Sequence, residues 1–164
     1  NFMGNEFAQF IEWNFAQELD WFLLDYPRHR TFRKFIQDLN AYYLENKALW
    51  QLDCSFDGFK WIVVDDNRQN IVSFIRRAAD GDYVICVVNF SPVERRKYVM
   101  GVPENKIYKA ELTSALKKYG GEEERRPSFR AVGKPAHGYP CSVKLNIPPN
   151  SVMFLRAVNK EEKK

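Results

Sequence analysis

From Pro27 onward, Phe32, Phe35, Ile36, Leu39, Tyr42 and Tyr43 recur at three- and four-residue steps, the spacing that gathers side chains on one face of a helix. Proline at the head of that run has the backbone angle of a first helical turn, so a helix is predicted from about Arg28 to about Glu45. Its apolar stripe requires a covering surface larger than the few residues that precede it. Beyond residue 50 the rhythm changes from helical to alternating. Candidate strands lie near Phe59 to Val64, Ile71 to Arg77, Tyr83 to Phe90, Arg96 to Val102, Ile107 to Leu112, Ser142 to Ile147 and Ser151 to Val158. Asp65-Asp66-Asn67, Asp80-Gly81-Asp82, Ser91-Pro92 and Pro103-Glu104-Asn105 supply the turns between the first strands. Short antiparallel strands at such even spacing predict a β-sandwich. The unbroken run Val84-Ile85-Cys86-Val87-Val88 fits a central strand covered on both faces.

The stretch from Lys117 to Pro140 breaks this pattern. It is charged and carries Gly120-Gly121, Gly133, Gly138 and three prolines, so it is expected to run over the surface. Residues 160–164 are expected to form a frayed tail. The fold class is therefore mainly β: a C-terminal antiparallel sandwich preceded by a loop and one amphipathic helix.

Composition narrows the function classes. A chain of 164 residues suffices for one domain with an appended helical segment, and falls short of a complete multi-domain enzyme. The aromatic share of 15% exceeds what core packing usually demands, and carbohydrate sites favour such rings. The net charge of +4 is not concentrated: Lys117, Lys118, Arg125, Arg126 and Arg130 are interrupted by Glu122, Glu123 and Glu124, which argues against a nucleic-acid face. No apolar stretch approaches a membrane span. Cys54, Cys86 and Cys141 are odd in number and lack metal-site spacing, which fits a reducing, cytoplasmic setting. Neither a glycine-rich phosphate cradle nor a calcium-binding pattern occurs, so no cofactor or metal is indicated. His29 and His137 have no evident nucleophile to serve and are read as structural.

The opening residues Phe2-Met3-Gly4-Asn5-Glu6-Phe7-Ala8-Gln9 are followed by Glu12-Trp13-Asn14, by Leu19-Asp20-Trp21-Phe22-Leu23-Leu24-Asp25-Tyr26-Pro27-Arg28-His29-Arg30 and by Asp38-Leu39-Asn40. Asp57-Gly58-Phe59-Lys60-Trp61-Ile62, Ser73-Phe74-Ile75-Arg76-Arg77, Val88-Asn89-Phe90-Ser91-Pro92-Val93, Tyr98-Val99-Met100-Gly101-Val102-Pro103, Tyr119-Gly120-Gly121 and Pro148-Pro149-Asn150-Ser151 continue the series. In this order the segments resemble the C-terminal part of bacterial glycogen branching enzymes, members of the α-amylase superfamily. Ala8 and Phe15 depart from residues common in that family. The resemblance implies that residues 1–50 are the end of a (β/α)8 barrel, comprising its last strand exit, a loop and the final helix, and that residues 51–159 are the β-sandwich.

The implied reaction moves an α-1,4-glucan segment onto a sugar 6-hydroxyl, with retention, through two carboxyl groups about 5 to 5.5 Å apart. In the family those carboxylates come from earlier barrel strands, so no catalytic residue is assigned here and the isolated chain is expected to be inactive. Trp13 and Trp21 are the candidates for sugar contact, because an indole offers an apolar face and one N–H donor. They could equally pack the loop against the missing barrel. Glu6 and Asn5 are candidates at the barrel's catalytic face, with Glu6 read chiefly as an acceptor that holds loops in place. Trp50 and Trp61 are expected at an interface or in the core.

The expected partners are α-glucan and the missing barrel, with neither nucleic acid nor membrane. Two further readings compete with that of a domain supporting the barrel: an independent glucan-binding module and a protein-interaction sandwich unrelated to glucan. A binding module needs a cluster of accessible rings on one sheet face. A supporting domain hides its rings, and the alternation of the strands favours hidden ones.

Overall fold

The computed structural model describes residues 2–158; the tail expected over 160–164 lies outside them. Helix α1 spans Pro27–Glu45, with proline in its first turn, as the periodicity predicts. Eight antiparallel strands follow among the described residues. They are β1 (Phe59–Asp66), β2 (Ile71–Arg77), β3 (Tyr83–Asn89), β4 (Arg95–Val102), β5 (Ile107–Thr113), β6 (Ser128–Val132), β7 (Cys141–Ile147) and β8 (Ser151–Val158).

Their order in the sheet is β1-β2-β3-β8-β5-β6-β7-β4. Strand β6 joins the two layers: Ser128, Phe129 and Arg130 pair with β5, whereas Ala131 and Val132 pair with β7. The stretch expected to be a surface excursion thus contains a short strand. Two of its tyrosines, Tyr119 and Tyr139, are also buried. The charged residues around β6 conceal it, because only Phe129 and Ala131 alternate inward.

One core fills the space between the layers. Ile71 and Ile75 from β2, Ile85 and Val87 from β3, and Met153 and Leu155 from β8 meet Met100 of β4 and Val143, Leu145 and Ile147 of β7. A second cluster lies on the opposite face of the larger layer. There Phe35 and Tyr42 of α1, with Ile36 and Leu39 beside them, pack on Val84, Leu112, Val152 and Phe154. The helical stripe that required a cover finds much of it on the β-domain itself, and β3 is buried on both faces as its apolar run predicts.

Polar contacts fix α1 at two levels. Near the helix middle, Asp38 accepts hydrogen bonds from Tyr119 Oη at 2.7 Å, Lys118 Nζ at 2.9 Å and Lys34 Nζ at 2.7 Å. At the helix end, Arg156 of β8 donates to Glu111 at 3.0 Å and also binds Asp82 and Asn46, while Tyr42 donates to Glu111 at 2.9 Å. The Lys34 bond, then that from Tyr119, holds the Asp38 carboxyl far below the ordinary carboxylate range.

A group depressed in the folded state contributes stability that is full above its unfolded value, about 4, and is lost as pH falls through its folded value. Replacing Asp38 with Asn is therefore expected to cost about 1 to 2 kcal/mol at pH 7. The difference from the parent chain should shrink in acid, as seen by urea unfolding at pH 7 and pH 3. A difference independent of pH would contradict a role for the carboxylate charge.

Candidate functional site

The segment before α1 is a loop pinned to the helix. Gly4, at φ +89°, opens a 3-10 turn over Asn5–Phe7, and its N–H donates to Glu6 Oε2 at 3.1 Å. The fully buried Phe7 offers its carbonyl to His29 Nδ1 at 2.8 Å; a carbonyl only accepts, so Nδ1 carries the proton. Gln9 accepts from the Asp20 N–H at 2.9 Å, and Arg30 donates to the carbonyls of Leu24 and Asp25 at 3.0 and 2.6 Å. His29 thus holds structure, as does His137, whose Nδ1 accepts from the Gly101 N–H at 3.1 Å.

On this frame each of the two candidate tryptophans is backed by a phenylalanine. Trp21 begins a second 3-10 turn, Trp21–Asp25, and leans on Phe7 with ring centroids 5.2 Å apart. Trp13 meets Phe2 edge-on at 5.3 Å. Trp21 is 48% and Trp13 39% exposed, so each is fixed on one side and open on the other. Glu6 and Asn5 share the first turn, where Glu6 closes a local hydrogen bond and the Asn5 carbonyl accepts from the Ala8 N–H at 3.2 Å.

A third aromatic group escapes sequence reasoning. Trp61, expected at an interface or in the core, stands on the outer face of β1 at 46% exposure. It lies 4.9 Å from Phe59 and 5.8 Å from Phe74, and Phe59 and Phe74 are 5.3 Å apart. The register between β1 and β2 shifts between Trp61 and Val63. Consecutive Ile62 and Val63 consequently both enter the core and Trp61 points out. Strict alternation, the signal used to place the rings inward, fails at that irregularity. Tyr98 and Tyr108 do point inward. Trp50 is also part-exposed, with its Nε1 donating to the Leu44 carbonyl at 3.3 Å.

The three cysteines are unpaired, Cys54 exposed and the others buried. In β3, burial pushes the Cys86 thiol up to about 12, the opposite of an activated nucleophile. Among the described residues no three His, Cys, Asp or Glu converge to hold a metal ion, and no helix is long and apolar enough to cross a membrane.

The family model described as alpha amylase, C-terminal all-beta domain, matches residues 61–158. Along nearly its whole length the chain is similar to proteins named 1,4-alpha-glucan branching enzyme. It is 42% identical to that of Halothermothrix orenii over 160 residues, 96% of this chain and 25% of the relative. It is 42% identical to that of Rubrobacter xylanophilus over 94% of this chain and 22% of the relative. For Pseudomonas putida the identity is 38%, over 94% of this chain and 21% of the relative. The chain therefore spans about a quarter or less of the length of these relatives.

Proposed function

Because the chain belongs to the family of alpha amylase C-terminal all-beta domains, we propose that it is the C-terminal part of a bacterial-type glycogen branching enzyme acting in the cytoplasm, where it supports the catalytic barrel and offers aromatic surface to α-glucan. The observation that carries this reading is the similarity to branching enzymes over 96% of the chain, which takes in the loop and α1 as well as the β-domain. Residues 1–50 are then the end of the barrel, and residues 51–159 the domain on which its last helix rests. The reaction of the whole protein moves an α-1,4-linked segment to a 6-hydroxyl through carboxylates supplied by the rest of the barrel. Glu6 and Asn5 shape a loop of the cleft, and Trp13 and Trp21 offer ring faces to it. The reducing interior of the cell suits three unpaired cysteines.

A second reading, glucan binding by the β-domain in its own right, gains support from the contiguous rings of the exposed Trp61 and the half-buried Phe59 and Phe74. Such a cluster is what a binding module needs and a purely supporting domain does not.

Two experiments separate these roles. Substituting this chain for the matching stretch of the Halothermothrix orenii enzyme should preserve branching of amylose, read from the change in iodine absorption. A chimera that folds and does not branch would overturn the enzymatic reading. Titration of the labelled 164-residue chain with maltoheptaose, following the four indole N–H signals, assigns the sugar contacts. Saturable shifts of Trp13 and Trp21 support the cleft contact, and a shift of Trp61 supports the sheet platform. With no indole moving at millimolar sugar, the ring contacts are withdrawn.

A further inference from the structure

A cleft of about 990 Å³ opens between the first half of α1 and one end of the β-domain, away from both the loop tryptophans and the Trp61 platform. Three walls enclose it, each built from fixed backbone. The first joins the turn after β3 to the turn before β8: Asn89 Nδ2 donates to the carbonyls of Val93 and Pro148 at 3.0 and 2.9 Å, its Oδ1 accepts from the Ser91 N–H at 2.9 Å, and the Asn150 N–H donates to the Ser91 carbonyl at 2.9 Å. The second wall is the loop after β5. It is closed by paired bonds from Glu123 N–H to Ala115 O and from Lys117 N–H to Glu123 O, both 2.9 Å, and is kept tight at Gly121, where a Cβ would lie 2.1 Å from the Ala115 carbonyl. The third is the helix, through Phe32 and Phe35. Such a cleft is formed before anything enters it, which lowers the ordering cost of binding.

Its lining is mixed in a particular way. Phe90 borders it and is 67% exposed, although its N–H is tied to the Asn70 carbonyl at 3.0 Å, so a large ring is held out on a stiff turn. Polar side chains line the same cleft: Arg96 and Glu94, bonded to each other at 2.6 Å, together with Glu122, Glu123 and Asn150. Three carboxylates against one guanidinium disfavour an anion such as a phosphate. The rings of Phe32, Phe35 and Phe90 beside these charged and amide groups are a poor match for a wholly apolar ligand. A neutral chain of sugar rings fits both features, because its C–H faces cover a phenyl and its hydroxyls can donate to carboxylates and accept from Arg96.

We propose that this cleft is a second α-glucan subsite, with Phe90 as its stacking platform and Arg96 and Glu94 as its hydroxyl-binding pair. The assignment rests on the proposed glucan function for its choice of sugar, and on the cleft alone for its location.

The test is a titration of the 164-residue chain with maltoheptaose, following the backbone amides of Ser91, Gly121 and Asn150 together with the indole signals. Cellohexaose, the β-linked counterpart, serves as comparison. Saturable shifts of these three amides are expected, weaker with the β-linked sugar. Phe90→Ala should weaken that binding about tenfold and Arg96→Gln should weaken it less, with the dispersed amide spectrum of each variant retained. Amides that stay still, or shifts indifferent to both substitutions, would overturn the subsite. Indole shifts without cleft shifts would remove the subsite and leave the glucan reading standing. Cleft shifts without indole shifts would do the reverse to the ring contacts. If nothing moves, glucan contact by this chain falls at both places.

Discussion

Arg156→Met should destabilise the chain by about 2 to 3 kcal/mol and release α1 from the sheet before the inner core is disturbed. The guanidinium binds Glu111, Asp82 and Asn46 at once, and Tyr42 shares the Glu111 carboxylate. Burial alone would lower the Arg156 pKa, but bonds to Asp82 and Glu111 outweigh it and the value rises. Removing the cation leaves two carboxylates facing each other with no counter-charge. Breaking a buried pair from one side costs about 3 to 5 kcal/mol, and partial exposure of all three groups scales that down. Lysine restores the charge and cannot reproduce three divergent donors in one plane, so Arg156→Lys should recover only part of the loss. Urea unfolding gives the magnitude. Hydrogen exchange gives the location: α1 amides should exchange faster while those of β2 and β3 keep most of their protection. Unchanged protection in α1 would show that the arginine is not what holds the helix.

Gly101→Ala should cost about 3 kcal/mol and lower the melting temperature by roughly 6 to 12 °C. A Cβ at this position in β4 would lie 2.1 Å from the Ala136 carbonyl oxygen and 2.9 Å from its carbon. Neither side can retreat. Gly101 pairs with Ser142 in β7 and donates to His137, while Ala136 and Tyr139 exchange two hydrogen bonds across a turn in which His137 and Gly138 both have positive φ. Gly133 supplies the control, since a Cβ there meets nothing within 4 Å; Gly133→Ala should be neutral or slightly stabilising. Equal melting temperatures for the two variants would contradict the contact.

Wherever one face dictates one rhythm, the fold can be read directly from the residues. The stripe from Phe32 to Tyr43 marks α1, and the run Val84 to Val88 marks a strand buried on both faces; the structure agrees with both. β6 is hidden because a five-residue strand with a single fully buried side chain carries almost no periodic signal, and its neighbours are charges, glycines and prolines. The outward turn of Trp61 is hidden for another reason. A register shift is set by how β1 meets β2, a relation between residues such as Trp61 and Phe74 that are distant in sequence and that no local pattern records. The loop before α1 is intermediate: Trp13 and Trp21 can be singled out by their chemistry, but the Phe2 and Phe7 rings that back them follow from the loop's path. The Phe90 cleft has no sequence signature, being assembled from four distant segments.

The place of β8 between β3 and β5 has a consequence for biosynthesis. Of the eight described strands, the one made last enters the middle of the larger layer, pairing with β3 on one side and β5 on the other. While residues 151–158 remain in the ribosomal tunnel, β1, β2 and β3 form one meander with an open edge, and β5 waits with another. The nascent chain must keep two sticky edges from finding each other, or a neighbouring polysome, until residues 151–158 emerge. Termination before residue 151 would then do more harm than the loss of one strand suggests, because it removes the strand that makes two half-sheets into one.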